Sequence, residues 1–376
     1  MSCGDAAGSD QNKRLGRLPW RTLGLPDLRD GDGERLWYAV SNNFKKKEHT
    51  SCGNPADAGC LNSDSRGTIT VRDASGKVVY DGVNPDSFVP SGAIAVIIAP
   101  GGVLSRQDTG APQSRTAANV NNPSSYLDIA LGEDNANLAD GSGNGFISGP
   151  VMAGSNVIVN DRVAVISYQD LMPVLEKRVA HEVAACLDLY AAQPSNSNRY
   201  PLAADAINSG AFNNFSDVAG TRLGRVPDQP FTATCTSSAG TTCDVPPNPA
   251  PAGSMGRDWG NAACNLYSGL AWWTNWKLHV FYAMADAYKP NFPLTLPSCG
   301  SCLTVNLPAP AAPASGRKFV LMVAGKRLAA VAGGQPRGAI AELGNIANYL
   351  EGNNTSLEVL ETKPSSTNFN DTVVYR

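Results

Sequence analysis

Arg14-Leu15-Gly16-Arg17-Leu18-Pro19 returns later in the chain as Arg222-Leu223-Gly224-Arg225-Val226-Pro227, with one Leu/Val exchange in six positions. The features downstream recur in the same order. Each copy reaches a strand-like run, Leu36-Trp37-Tyr38-Ala39-Val40 or Val280-Phe281-Tyr282-Ala283-Met284, and then a pair of cysteines, Cys52/Cys60 or Cys299/Cys302. Apolar β runs follow at Ala93–Ala99 and Phe319–Ala324. Polar, basic segments (Ser105–Arg115; Lys326–Arg337) then lead to Tyr126-Leu127 and Tyr349-Leu350. Next come the clusters Gly132-Glu133-Asp134-Asn135 and Glu351-Gly352-Asn353-Asn354. Each copy closes on Asn-Asp and a β-branched run, Asn160-Asp161-Arg162-Val163 or Asn370-Asp371-Thr372-Val373. One short match arises by chance; an ordered series of this length does not. The period far exceeds the roughly 20–50 residues of solenoid repeats, so the pattern reads as a duplicated domain. The modules are expected at 1–167 and 168–376.

The best helix pattern lies between the copies, over about 170–193. Leu171, Leu175, Val179, Val183, Cys186, Leu187 and Tyr190 recur at three- and four-residue spacing. Asp170 is expected to cap it, Pro173 to sit in its first turn and Pro194 to stop it. The second module therefore reads as a long helix, a Tyr200-Pro201 step and a small antiparallel sheet, an α+β fold. The first has every piece but the helix, which by parallel belongs upstream of residue 1.

Composition narrows the class. The 376 residues carry a net charge of −3 and only 17% charged side chains, against about 25% in an average soluble domain. No basic surface invites nucleic acid. No apolar run approaches the roughly 18 residues of a membrane span. Nine cysteines is a high and odd count. Cys52/Cys60, Cys235/Cys243 and Cys299/Cys302 are close pairs in polar loops, the pattern of local disulfides formed in an oxidising compartment. Cys3 is the orphan expected to have lost an upstream partner. Met1-Ser2-Cys3-Gly4-Asp5 is no export leader, so the chain is expected to be an ectodomain trimmed of its targeting segment.

A long helix, a Leu-Pro or Tyr-Pro step, and an Asp/Gly turn before a strand with alternating aromatics resemble type IV pilins and type II secretion pseudopilins. The residues that carry the likeness are Gly16–Pro26, with Asp30-Gly31-Asp32-Gly33-Glu34-Arg35-Leu36-Trp37-Tyr38-Ala39-Val40 after it, and Tyr200-Pro201, Asp258-Trp259-Gly260 and Phe281-Tyr282 in the second copy. The resemblance implies two tandem pilin-like modules in a non-enzymatic minor pilin or pseudopilin ectodomain of a bacterial type IV pilus or type II secretion machine. It implies other pilin or pseudopilin subunits as partners. It also implies a periplasmic or cell-surface location, with membrane attachment only through an N-terminal helix missing from this chain. The chain departs from the family in lacking the prepilin leader and hydrophobic first helix, and in being duplicated. The alternative reading is a secreted or surface adhesin that recognises carbohydrate or protein.

Catalytic patterns are absent. His181-Glu182 lacks the second histidine of a zincin motif, and no nucleophile elbow, phosphate loop or dinucleotide fingerprint occurs. His49 follows three lysines, and His279 stands among aromatics. Glu133, Asp134, Asn135, Asn137, Asp140 and Asn144 form an oxygen-rich run of the kind calcium takes, without EF-hand spacing; Asp30-Gly31-Asp32-Gly33-Glu34 is a second such run. For both, a calcium site and a plain Asx/Gly turn are the competing readings. Trp272, Trp273 and Trp276, with Tyr267 and Tyr282, form an aromatic cluster that reads either as core or as a contact surface.

Overall fold

The computed structural model describes residues 14–45, 61–83, 91–138, 145–193, 196, 198–206, 222–227, 266, 271–289, 302–328 and 334–376. The chain divides into two compact units. The first comprises Met1–His49 and Ser65–Leu171, the second Thr50–Asp64 and Met172–Arg376. The fold is α+β, mostly small antiparallel sheets with few helices.

In the first unit the strands are β1 (Leu15–Arg17), β2 (Trp37–Val40), β3 (Thr70–Arg72), β4 (Val78–Tyr80), β5 (Ala95–Ala99), β6 (Ile129–Ala130), β7 (Glu133–Asp134), β8 (Gly145–Ile147), β9 (Val151–Ala153), β10 (Asn156–Val159) and β11 (Arg162–Ile166). Helix α1 (Tyr168–Ala192) follows. The rest of the chain supplies β12 (Leu223–Arg225), α2 (Ala271–Trp276), β13 (Val280–Met284), β14 (Leu303–Asn306), β15 (Ala314–Arg317), β16 (Phe319–Val323), α3 (Ile340–Leu343), β17 (Leu360–Glu361) and β18 (Thr372–Tyr375).

The duplication is exact in register. The main sheet of the first unit runs β1-β2-β5-β11 and that of the second β12-β13-β16-β18, antiparallel throughout. Gly16 faces Tyr38 as Gly224 faces Tyr282, and Tyr38 faces Ile97 as Tyr282 faces Leu321. The secondary sheets repeat too. β3 pairs antiparallel with β4 and parallel with β8; β14 pairs antiparallel with β15 and parallel with β17.

Period-2 alternation sends Trp37, Ile98, Val96 and Ala39 to one face of the first sheet, where they pack with Val71, Tyr126 and Phe146. Phe281, Met322, Val320 and Ala283 do the same in the second unit, against Val305, Tyr349 and Leu360.

The quoted hexapeptide has a physical reason at each end. Arg17 lies over Trp37 and Tyr126, its guanidinium 4.1 and 4.0 Å from the ring centres, and Arg225 lies over Phe281 and Tyr349 at 4.4 and 4.9 Å. At Gly224 the backbone of Ala204 comes so close that a Cβ would stand 2.0 Å from its carbonyl oxygen.

Helix α1 begins two residues earlier than the sequence pattern suggests, and Asp170 is not its N-cap. Ser167 is. The Ser167 hydroxyl accepts from the Asp170 N–H at 3.4 Å, and the Asp170 carboxylate accepts from the Ser167 N–H and hydroxyl at 2.8 and 2.7 Å, the reciprocal bonding of a capping box. Pro173 therefore falls beyond the first turn, inside the helix. The buried stripe is Met172, Glu176, Val179, Ala180, Val183, Ala184, Cys186, Leu187 and Tyr190, so Leu171 and Leu175 sit at its margin. Among the described residues no helix is long and apolar enough to cross a membrane.

Candidate functional site

The ordered matches downstream of the hexapeptide converge, in each unit, on one buried polar network. Arg115 stacks on Tyr126 and donates to the Gly101 and Gly102 carbonyls and to Gln113. Arg337 stacks on Tyr349 and donates to the Gly325 carbonyl and to Gln335. Gln113 donates to Asp128 at 2.9 Å, and Gln335 donates to Glu351 at 2.8 Å. Asp128 and Glu351 accept from the Asn160 and Asn370 N–H groups, while their own N–H groups donate to Asp161 and Asp371. Asn135 and Asn354 complete the set, each donating to that aspartate and accepting from the next strand at Ile147 or Glu361. The counterpart of Glu351 is thus Asp128, not Glu133.

Electrostatics follow from burial. Asp161 is fully buried, and its carboxyl is held well above the ordinary carboxylate range, first by desolvation and then by the Asp128 charge. Burial raises Asp128 as well. Asp371 is raised in the same way by burial and by Glu351. In each unit the buried aspartate is thus the group whose ionisation is most disfavoured, set beside a second acid. These groups are shut off from solvent, and their donors and acceptors serve to pin loops to the main sheet. The geometry is that of an internal lock.

In the second unit the arginine also meets Asp64, from the segment that precedes β3. Arg337 Nη1 lies 3.0 Å from Asp64 Oδ1, and His279 Nε2 lies 3.2 Å from Asp64 Oδ2. Burial alone would raise the Asp64 carboxyl, but the Arg337 charge and the His279 hydrogen bond outweigh it and hold it well below the usual range. Burial lowers the His279 imidazole, while its contact with Asp64 works in the opposite direction. His279 is 0% exposed, and no substrate reaches it. Arg115 faces the more exposed Glu34 at 3.4 Å.

The residues singled out as calcium ligands are spent on other partners. Glu133 pairs with Arg72 at 2.7 Å and accepts from the Gly145 N–H; Asp134 pairs with Arg106 at 3.2 Å; Asn135 belongs to the network. Asp140 lies outside the described residues. Asp30 forms a turn, accepting from the Asp32, Glu34 and Gly101 N–H groups. Among the described residues no group of three or more His, Cys, Asp or Glu is placed to hold a metal ion.

Trp273 and Trp276 are 1% and 3% exposed. They are core, with Trp272 edge-on to Trp273, and this corrects the contact-surface reading of the cluster. Tyr267 lies outside the described residues. Cys186 and Cys302 are each engaged in a disulfide; Cys52, Cys60, Cys235, Cys243 and Cys299 lie outside the described residues. A cavity of about 400 Å³ in the second unit is lined by Asp188, Asn198, Tyr200, Tyr288 and Lys318; the Tyr200 hydroxyl and Arg376 already occupy the Asp188 carboxylate.

The outward face of the main sheet is where the copies part. In the second unit the row Tyr282, Leu321 and Val374, with Met284, Phe319, Val280 and Val323 beside it, is buried. Tyr200 stacks edge-on against Phe319 at 4.9 Å, the Tyr282 hydroxyl donates to the Pro201 carbonyl at 3.2 Å, and Arg376 pairs with Asp188 of α1. Tyr190 of α1 is an electrostatic neighbour of Tyr282. In the first unit the matching Tyr38, Ile97, Val40, Ala99 and Ile166 are only half-buried, and Ala164 is exposed. Sequence reasoning did not anticipate this surface. Its signal was the parallel between Tyr38 and Tyr282. Comparison of the chain with family models, curated proteins and solved structures finds no match.

Proposed function

We propose that this chain is the ectodomain of a minor pilin or pseudopilin, two tandem pilin-like modules that act by assembly and contact rather than catalysis. The observation that carries the reading is the repeated four-stranded antiparallel sheet, one copy preceded by a 25-residue amphipathic helix that meets its outward face. The buried locks support it, since they spend the reactive side chains on rigidity. The full-length protein would be exported, anchored in the inner membrane and exposed to the periplasm or cell surface, with other pilin or pseudopilin subunits as neighbours. The adhesin alternative leaned on the tryptophan cluster, and burial of Trp273 and Trp276 removes its binding surface. Cross-linking in cells that express the full-length protein, read by mass spectrometry, tests the proposal. Cross-links to pilin or pseudopilin subunits in the envelope are expected. A cytoplasmic protein without them overturns it.

A further inference from the structure

We propose that the second unit holds a binding site for a small aliphatic amino acid, in a cavity whose counterpart the first unit fills with Arg14. Arg14 is 1% exposed. Its guanidinium lies 4.2 Å from the Phe146 ring centre, and its Nε and Nη2 donate to the Asn137 and Gly145 carbonyls at 3.4 and 3.3 Å. The strand pairings fix the equivalents: Arg222 for Arg14, Thr304 for Thr70, Val359 for Gly145 and Leu360 for Phe146. The Arg14 seat is lost in the second copy. Leu360 offers no ring for a guanidinium to stack on. The parallel ladder is also one pair shorter. Thr70 pairs with Gly145, whereas the pairing of β14 with β17 starts only at Val305 and Leu360. Thr304 and Val359 instead line a cavity of about 380 Å³, together with Arg222, Asp286, Asn306 and Glu358.

The lining selects the ligand. Arg222 is half-buried and Glu358 exposed, and among the described residues neither side chain has a hydrogen bond or ion pair, with the other or with any third group. Opposite charges thus line one cavity without meeting. Arg222 lacks the two carbonyl oxygens that Arg14 has, and a ligand carboxylate presents two oxygens to such a fork. A ligand ammonium answers Glu358. Asp286, whose partner is Lys289 at 3.3 Å, adds a second negative charge to the lining. Val359 and Leu303 give an aliphatic side chain its apolar contact. A ligand with one charge leaves either Arg222 or Glu358 unpaired; a zwitterion pairs both. The volume stands at the lower end of the roughly 300–1,000 Å³ of small-molecule sites, which suits a single amino acid. The site goes beyond the assembly reading and does not depend on it.

The probe is L-leucine, titrated into the full chain by isothermal calorimetry beside L-leucinamide, which keeps the ammonium alone, and N-acetyl-L-leucine, which keeps the carboxylate alone. Saturable binding of L-leucine is expected, with each analogue about tenfold weaker or more, the loss of one charged hydrogen bond. Arg222→Gln should weaken L-leucine about tenfold and leave L-leucinamide unchanged. Glu358→Gln should weaken L-leucine by a similar factor and leave N-acetyl-L-leucine unchanged. Glu358 is exposed, so its variant keeps the test sound should Arg222→Gln disturb β12. Arg178→Gln, whose side chain is 74% exposed on α1, should leave binding unchanged. Absence of saturable L-leucine binding, equal affinity for the three compounds, or binding that Arg222→Gln and Glu358→Gln both leave intact overturns the proposal. None of these results touches the cross-linking test of envelope assembly, so the two readings fail separately.

Discussion

Arg337→Met removes the charge that holds Asp64 while keeping most of the apolar stem. Both side chains are buried, 1% and 2% exposed, with 3.0 Å between Nη1 and Oδ1. Removing one partner of a buried pair strands the other and costs about 3–5 kcal/mol. The duplication supplies an internal control. Arg115 makes the matching stack on Tyr126 and the matching bonds to Gly101 and Gln113, but its carboxylate, Glu34, stands 3.4 Å away with 29% of its side chain exposed. Such a pair contributes about 0–1 kcal/mol. Lost stacking and glycine-carbonyl bonds are common to Arg337→Met and Arg115→Met, so their difference reports the carboxylate together with the Arg337 Nε bond to the Asn348 carbonyl at 2.6 Å, which Arg115 lacks. It should be about 2–5 kcal/mol. The lower end is favoured because His279 stays at 3.2 Å and Arg327 at 3.8 Å from Asp64.

The assay is urea unfolding followed by residue-resolved amide exchange, which reports each unit separately. Asp64→Asn in the Arg337→Met background should recover much of the loss, since no stranded anion remains. The pH dependence has a definite sign. The folded carboxyl of Asp64 lies below its unfolded value of about 3.9, so its contribution is present above that pH and lost as pH falls through the folded value. Arg337→Met should move that loss to higher pH. Equal costs for the two arginine variants, within about 0.5 kcal/mol, together with no recovery from Asp64→Asn, would refute the reasoning.

Asp371 has the opposite sign. Its folded carboxyl is raised by burial and by Glu351, so its contribution is present below the unfolded pKa of about 3.9 and lost as pH rises through the folded value; Asp371→Asn should flatten the fall in Tm toward neutral pH, and parallel curves for the two proteins would count against a raised Asp371. Leu321→Ala, at 0% exposure, should cost about 2–5 kcal/mol. Its counterpart Ile97→Ala, on the half-buried face, should cost about 1 kcal/mol or less, and thermal scans showing equal losses would contradict the difference between the faces. Ser167→Ala should cost about 1 kcal/mol and speed amide exchange in the first turn of α1; unchanged exchange there would argue against the capping box.

The α+β class and the order of segments along each copy were legible because their signals are local and occur twice; the order of strands within the sheets was not. An Arg-Leu-Gly-Arg strand needs its glycine where another backbone closes in at Ala204, and needs its second arginine for an aromatic sandwich. An Asn-Asp pair before the last strand ties that strand to the loop beside it. What escaped was every contact whose partner lies far along the chain. In the acidic, glycine-rich run, Glu133 and Asp134 meet Arg72 and Arg106, 61 and 28 residues away, ion pairs that the run itself does not announce. Asp64 reads as part of the first copy, yet it partners an arginine 273 residues downstream. The cap was misassigned by three residues because Ser167 and Asp170 bond each other and either could open the helix.

The two locks argue that geometry, not local sequence, is what the duplication holds fixed. A carboxylate pair and a guanidinium inside a core carry a large desolvation cost unless their oxygens and N–H groups find partners. Both units meet most of that demand with matching bonds from different residues, each leaving one oxygen of its buried aspartate, Asp161 or Asp371, without a hydrogen bond. The acid is Asp128 in one and Glu351 in the other, and the asparagine that completes the network follows by seven residues in the first and by three in the second. A longer carboxylate and a shorter loop reach the same point in space. The opposing acid differs more: Glu34 comes from the β1–β2 turn, Asp64 from a segment that belongs to the second unit though it precedes β3. The glutamine–acid–asparagine–aspartate core of the lock is bonded alike in both copies, while the arginine's carboxylate partner differs. The outward sheet face differs in another way, since its apolar character persists in the first unit without full burial.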